Sequence, residues 1–366
     1  MPTLPMTMNA VVLEGHGGFD RLAYRTDLPL PTPSAGEVLV RVRAAGVNNT
    51  DINMRTGWYS KSVTGEATAA TGLPAVCAAA ADDAGWTGAK LTFPRIQGAD
   101  ACGHIVAAGP GVDPACIGQR VIVEPVFRGQ PGAADPAAEP VYFGSDCPGA
   151  FADYVCVPSG NAHRITSELT DAELASFPCS YSAAENMLAR TGMRAGETVL
   201  VTGASGGVGS AAVQLARRRG GQVIALAAAE KAAEVRRLGA ERVLPRDVNL
   251  ATTLARQSVD VVIDVVGGEQ FPALLAVLRR GGRYAVAGAI GGPMVKLDLR
   301  TLYLKDLRLL GCTIPEPSVF RDLVGYIERG EVLPVVARTY PLAAIADAQR
   351  EFLTKRHTGK IVLLLE

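Results

Sequence analysis

Glu197-Thr-Val-Leu-Val-Thr-Gly-Ala-Ser-Gly-Gly-Val-Gly209 is the stretch on which the fold turns. Its apolar run, Val199-Leu200-Val201, has strand propensity and empties into a glycine-rich turn. The turn opens a helix, expected from Ser210 to Arg219, whose apolar positions Val208, Ala211, Ala212 and Leu215 give it one face to lay on a sheet. Strand, turn and helix start together form a dinucleotide-binding element. Ser205, Gly206, Gly207 and Val208 make the turn itself, where the two glycines let the backbone approach a pyrophosphate, and Gly209 allows close helix–strand packing. The helix N-terminus offers free N–H groups and a partial positive charge to phosphates. The competing reading is a tight βα turn with no ligand.

Outward from this element, residues 166–312 alternate between strand and helix patterns, which predicts a doubly wound parallel sheet. Strands are expected at Gln222–Leu226, Arg242–Leu244, Asp260–Asp264, Gly282–Ala287 and Leu307–Cys312, giving six with the first. Helices are expected at Glu230–Leu238, near Asn249–Gln257 and at Glu269–Leu278. Residues 9–165 show a different texture. Short strand-like runs at Asn9–Glu14, Glu37–Gly46, Gly103–Gly109, Arg120–Glu124 and Phe151–Val157 are separated by Gly, Pro and Asp turns, and predict a partly open β-barrel. The tail carries a helix at Phe320–Arg329 and ends in the apolar run after Lys360.

Composition narrows the function classes. The 366 residues are 48% hydrophobic and 20% charged with zero formal net charge, which leaves no basic excess for nucleic acid or an anionic membrane. There is no 18-residue apolar run and no charged, then apolar, leader at the N-terminus, so a cytoplasmic protein is expected. The seven cysteines, at 77, 102, 116, 147, 156, 179 and 312, form no C-x-x-C pair and so suggest neither a disulfide framework nor a structural zinc knot.

Thr202-Gly-Ala-Ser-Gly-Gly-Val-Gly209 followed by Ala211-Ala-Val-Gln-Leu-Ala216 resembles the medium-chain dehydrogenase/reductase superfamily. More narrowly it is similar to the zinc-independent quinone oxidoreductase branch, where Ala204 replaces the first glycine of the alcohol dehydrogenase fingerprint. The resemblance spans nearly the whole chain. It implies a discontinuous GroES-like catalytic domain, residues 1–165 and 313–366, around a Rossmann NADP(H)-binding domain, residues 166–312.

Cofactor choice is read at the end of the second Rossmann strand, where NAD-specific sites place an acid for the ribose 2′-hydroxyl. Ala227 stands there instead, and Lys231 follows, either to pair with a 2′-phosphate or as a solvated lysine. NADP(H) is therefore expected over NAD(H). Val265, Gly288 and Ala289 stand at the ends of later strands and should border the ribose and nicotinamide. Lys360, in a Gly-Lys pair that matches a family position, either contacts phosphate or caps the terminal strand.

No metal is expected. The zinc alcohol dehydrogenases of the superfamily use a Cys, a His and a later Cys, and the matching positions here are Asn48, Ala99 and Cys179, with Asp100 at a nearby Glu. One thiol and an amide do not make a zinc site. His104 reads as a core or surface histidine. The four-cysteine structural lobe is also missing, since Cys147 stands alone in that region. Alcohol oxidation loses its Lewis acid.

Hydride delivery to a quinone, enone or enal needs no metal, because the charge spreads onto a conjugated oxygen. Asn48-Asn-Thr-Asp-Ile-Asn-Met-Arg-Thr-Gly-Trp-Tyr59 resembles the quinone reductase pattern Asn-x-x-Asp-x-x-x-Arg-x-Gly-x-Tyr. By that resemblance Asn48 lines the nicotinamide pocket, Asp51 and Arg55 form a pair behind it, and Tyr59 is either a proton donor or a pocket wall. Cys179 and Tyr181 should flank the same cleft, Cys179 as a reactive thiol or a buried apolar one. The candidate catalytic residues are thus Asn48, Asp51, Tyr59 and Cys179.

Two segments, Ser60 to Pro94 and Arg128 to Glu139, are longer than the quinone reductases lead one to expect. The first is either a surface insertion or a flap over the pocket anchored by Trp86. The apolar edge strand Leu307–Cys312 suggests a homodimer. Against the conjugated-acceptor reductase stand two other readings, a zinc-type alcohol dehydrogenase and a non-catalytic NADPH-binding protein.

Overall fold

The computed structural model describes residues 4–65, 83–88, 90–129 and 139–366. The middle of the first insertion and nearly all of the second therefore lie outside the described residues. Among those described, strands Arg242–Leu244, Gln222–Leu226, Thr198–Val201, Val259–Asp264, Leu278–Val286 and Arg308–Gly311 form a six-stranded sheet in that spatial order. Every pairing in it is parallel, and the order is that of a Rossmann sheet. Alternation sends Val199 and Val201 to one face, against the helices Pro178–Thr191, Gly207–Arg218 and Pro317–Glu328. Leu200 goes to the other face, with Phe271, Leu274 and Tyr284. A sheet covered on both sides needs apolar residues at consecutive positions, which is why these strands read so plainly.

The second body is antiparallel except for the parallel pair Val336–Pro341 and Lys360–Leu364. Strand Glu37–Val47 pairs with Cys102–Ala108, with Tyr154–Pro158 and with Lys360–Leu364. Strand Lys360–Leu364 pairs on its other side with Val336–Pro341, so the tail closes the sheet begun near the N-terminus. A core of Val38, Val40, Val42, Val121, Val155, Ile361 and Leu363 fills it.

Several elements differ from expectation. The helix expected near Asn249–Gln257 is one turn, Leu250–Thr253, because two β-branched threonines end it and Leu254 turns extended. The strand expected from Gly282 begins at Leu278. The 14-residue helix Pro178–Thr191 starts on a proline, whose missing N–H costs nothing there. It was not expected, since Ser180, Ser182, Glu185 and Asn186 are buried along with its apolar residues and blur the period. His104 is half-buried in its strand, as a core or surface residue. Among the described residues no helix is long and apolar enough to cross a membrane, and the six described cysteines are all free.

Candidate active site

The glycine turn leads directly from the sheet into the helix Gly207–Arg218. No side chain caps that helix, so its first-turn amides are open to a ligand. Ala204 and Gly209 are buried, whereas Ser205, Gly206, Gly207 and Val208 keep partial exposure and form the mouth. A Cβ on Gly209 would run into the carbonyl oxygen of Gly203, and one on Gly207 would lie 2.6 Å from Ser180 Oγ and 3.0 Å from Lys360 Cδ. The cradle thus fits a pyrophosphate, with helix Pro178–Thr191 and Lys360 forming its far wall. Loops Val265–Gly268 and Gly288–Gly292 meet beside it through Gly291 N to Val266 O at 2.7 Å and Gly268 N to Gly292 O at 3.1 Å.

Lys360 is 2% exposed, and its ammonium donates to Asn48 Oδ1 at 2.5 Å and Asp100 Oδ2 at 2.7 Å. Asn48 Nδ2 donates to the same carboxylate oxygen at 2.8 Å, and the Cys179 amide donates to Asp100 Oδ1 at 2.6 Å. One position aligned with a zinc ligand, Asn48, thus shares a buried ammonium with Asp100, and Cys179 joins them through its backbone amide. This is neither of the two roles open to Lys360 on sequence, although its alkyl chain still borders Gly207.

Asp51 and Arg55 do not form the expected pair. Asp51 Oδ2 accepts from the Asn48 backbone N–H at 2.7 Å, a capping box at the start of helix Asn49–Thr56. Arg55 instead donates to Gln349 Oε1 at 2.8 Å and Gly17 O at 2.6 Å. A carboxylate that turns back to close the first turn is no longer directed along the helix toward its fourth neighbour. Burial pushes the Asp51 carboxyl up to about 7, and the Asn48 N–H and the Lys360 charge act in the opposite direction.

Tyr59 donates to Thr50 Oγ1 at 3.1 Å and lies near Cys179 and Asp51. Burial pushes the Cys179 thiol up to about 12, which fits a neutral thiol rather than a reactive thiolate. Tyr181 is buried, its hydroxyl donating to Leu333 O. The sequence reading missed Tyr142, whose hydroxyl and the Cys179 sulfur share a hydrogen bond at 3.3 Å. Trp86 stacks on Tyr142 with ring centroids 4.2 Å apart and planes at 17°. The anchor expected of the first insertion thus reaches this cluster, while the flap itself falls largely outside the described residues.

Lys231 is not free for a phosphate in the manner expected. Its ammonium donates to Lys355 O at 2.6 Å and His357 O at 2.7 Å. These carbonyls follow the helix Ile345–Thr354, where the chain turns left-handed at Lys355 and the last carbonyls lack helical partners. Ala227 is buried at the end of its strand. Among the described residues no group of three or more His, Cys, Asp or Glu side chains is placed to hold a metal. A cavity of about 580 Å³ lined by Met8, Leu28, Tyr154 and Cys156 lies elsewhere on the barrel and shares no residue with the cluster.

Comparisons with known proteins agree with this geometry. Residues 34–167 match the alcohol dehydrogenase GroES-like domain and residues 207–329 the zinc-binding dehydrogenase family. A crystal structure of a candidate alcohol dehydrogenase from Sinorhizobium meliloti 1021 superposes with a TM-score of 0.88 at 45% identity, covering 100% of this chain and 99% of that one. Quinone oxidoreductase from Homo sapiens is 26% identical over 100% of both chains. The chloroplastic NADPH-dependent alkenal/one oxidoreductase of Arabidopsis thaliana is 27% identical over 99% of this chain and 80% of its own.

Proposed function

Because the chain belongs to the medium-chain dehydrogenase/reductase superfamily, in its quinone oxidoreductase-like branch, we propose that it is a zinc-independent, NADPH-dependent reductase of a conjugated acceptor, a quinone, enone or enal. That it is an NAD(P)H-dependent oxidoreductase follows from its relatives. The observation that carries the finer reading is the Lys360 ammonium held between Asn48 and Asp100. A cation already bound beside the aligned position Asn48 opposes a divalent ion there, and an amide is a poor zinc ligand beside it.

When bound, the reduced nicotinamide supplies a hydride. The open amides of helix Gly207–Arg218 would hold the pyrophosphate, with Ser205, Gly206 and Val208 at the mouth. Val265, Gly288 and Ala289 would border the nicotinamide ribose, and Asn48 the nicotinamide. Ala227 leaves the 2′-position without a repelling carboxylate. Lys231 has spent two of its three N–H donors, and the third would meet a 2′-phosphate. In this reading residues 166–312 are the nucleotide-binding unit, and residues 1–165 with 313–366 are the substrate unit.

The test is oxidation of NADPH and of NADH by metal-stripped protein with a panel of quinones, enones and enals. Turnover with NADPH and a conjugated acceptor is expected. Lys231→Ala should raise KM for NADPH about tenfold or more, the worth of one hydrogen bond to a charged group, and leave NADH unaffected. Activity that appears only with added zinc and an alcohol would sink the proposal.

The edge strand Arg308–Gly311 is largely exposed, and the helix before it in the chain exposes Leu299, Tyr303 and Leu304. We propose that two copies pair there across a two-fold axis. Gel filtration should give the volume of a dimer, and a monomer's volume would remove this idea.

A further inference from the structure

Tyr142 and Trp86 belong to a cluster that meets the Asn48 network through Cys179. Tyr142 sits in a short antiparallel ribbon with Val126, and its backbone N–H donates to Asp146 Oδ2 at 2.7 Å. Trp86 covers one face of its ring, and Ala99, Val126, Cys179 and Ile314 complete the packing. The phenol is thus rigidly mounted. Its hydroxyl has a weak partner, a sulfur at 3.3 Å, whereas the Tyr59 hydroxyl donates to Thr50 Oγ1. Cys179 links the phenol back to the nicotinamide side, because its own amide is bound to Asp100, the carboxylate that holds Asn48 and Lys360.

The geometry points to Tyr142, rather than Tyr59, as the group that gives the proton to the acceptor, with the Cys179 thiol returning a proton to it. This rests on the reductase reading above. Hydride arriving at the electron-poor carbon reduces the acceptor and leaves an oxyanion, an enolate or a hydroquinone anion. The O–H bond of Tyr142 then breaks and its proton goes to that oxygen. The phenolate takes a proton from the Cys179 S–H, and the half-buried thiol is refilled from solvent, so one solvent proton is consumed for each hydride. Burial and the neighbouring Cys179 hold the Tyr142 phenol well above its ordinary value, so it carries its proton at neutral pH. Trp86 stacked on the donor ring also fixes the direction of its hydroxyl.

The experiment compares Tyr142→Phe with Tyr59→Phe, both of which keep the ring and its packing. Proton donation is worth about 10²–10⁴-fold. Tyr142→Phe should therefore lose about 100-fold or more in kcat with KM little changed, and its solvent deuterium isotope effect should differ from wild type. Acceptor binding, read by tryptophan quenching on protein without nicotinamide, should be unchanged. Cys179→Ser should keep most of the rate, because a hydroxyl can relay the same proton, while Cys179→Ala should slow turnover and alter the pH profile. Wild-type kcat and isotope effect in Tyr142→Phe, on active enzyme, would overturn the assignment alone. A wild-type protein silent with every conjugated acceptor would overturn the reductase reading and this proposal together.

Discussion

Replacing Lys360 with methionine is expected to cost about 3–5 kcal/mol of stability, the range for breaking a buried ion pair from one side. Asp100 is fully buried, and without the ammonium its carboxylate keeps only the Asn48 and Cys179 N–H donors. A carboxylate in that position must either take up a proton or draw in water, and both loosen the junction of helix Pro178–Thr191 with strand Lys360–Leu364. The double variant Lys360→Met with Asp100→Asn should recover most of the loss, since it removes the orphaned charge along with its partner. Denaturant unfolding of the three proteins checks this. A single variant as stable as wild type would mean that the pair contributes nothing.

Gly209→Ala is expected to weaken nicotinamide binding by about 10- to 100-fold, because overpacking a rigid site costs about 1–3 kcal/mol. The added methyl group meets the Gly203 carbonyl, a backbone atom at the start of the same turn, so no side chain can rotate away. Either the helix moves off the strand or the turn opens, and both displace the amides proposed above to hold the pyrophosphate. Titration of NADPH against protein fluorescence gives the dissociation constant. Wild-type affinity in Gly209→Ala would show that the turn tolerates the shift and that the close approach is not required.

The parts of this architecture that are legible in the chain are those where one local rule dominates. Strand Gln222–Leu226 lies where its apolar run puts it, because a parallel strand buried on both faces has no competing pattern. The glycine turn is equally plain, since Gly203 takes a positive φ and Gly209 lies against the Gly203 carbonyl. Strand Leu22–Pro29 is not legible, because its residues are mostly exposed and carry no core-facing alternation. The Asp51–Arg55 pairing fails for a different reason. Four-residue spacing makes contact geometrically possible, but the free N–H of Asn48 competes for the same carboxylate at shorter range. Tyr142 and Trp86 are adjacent only in three dimensions. They are far apart in sequence, in turn-rich segments without periodicity, and nothing local marks either as part of a site.

Strand Lys360–Leu364 also sets the order in which the molecule can be completed. On a chain made from its N-terminus, the six-stranded sheet has all its strands once residue 311 has emerged. Strand Glu37–Val47, although made much earlier, must wait for residue 364 before it acquires this neighbour. The same late strand carries Lys360 to Asn48 and Asp100, and the adjoining Gly359 N–H to Ser205 O at 2.8 Å. During synthesis the glycine turn and its sheet therefore exist before residues 359 and 360 arrive to wall the cradle and to join Asn48 and Asp100.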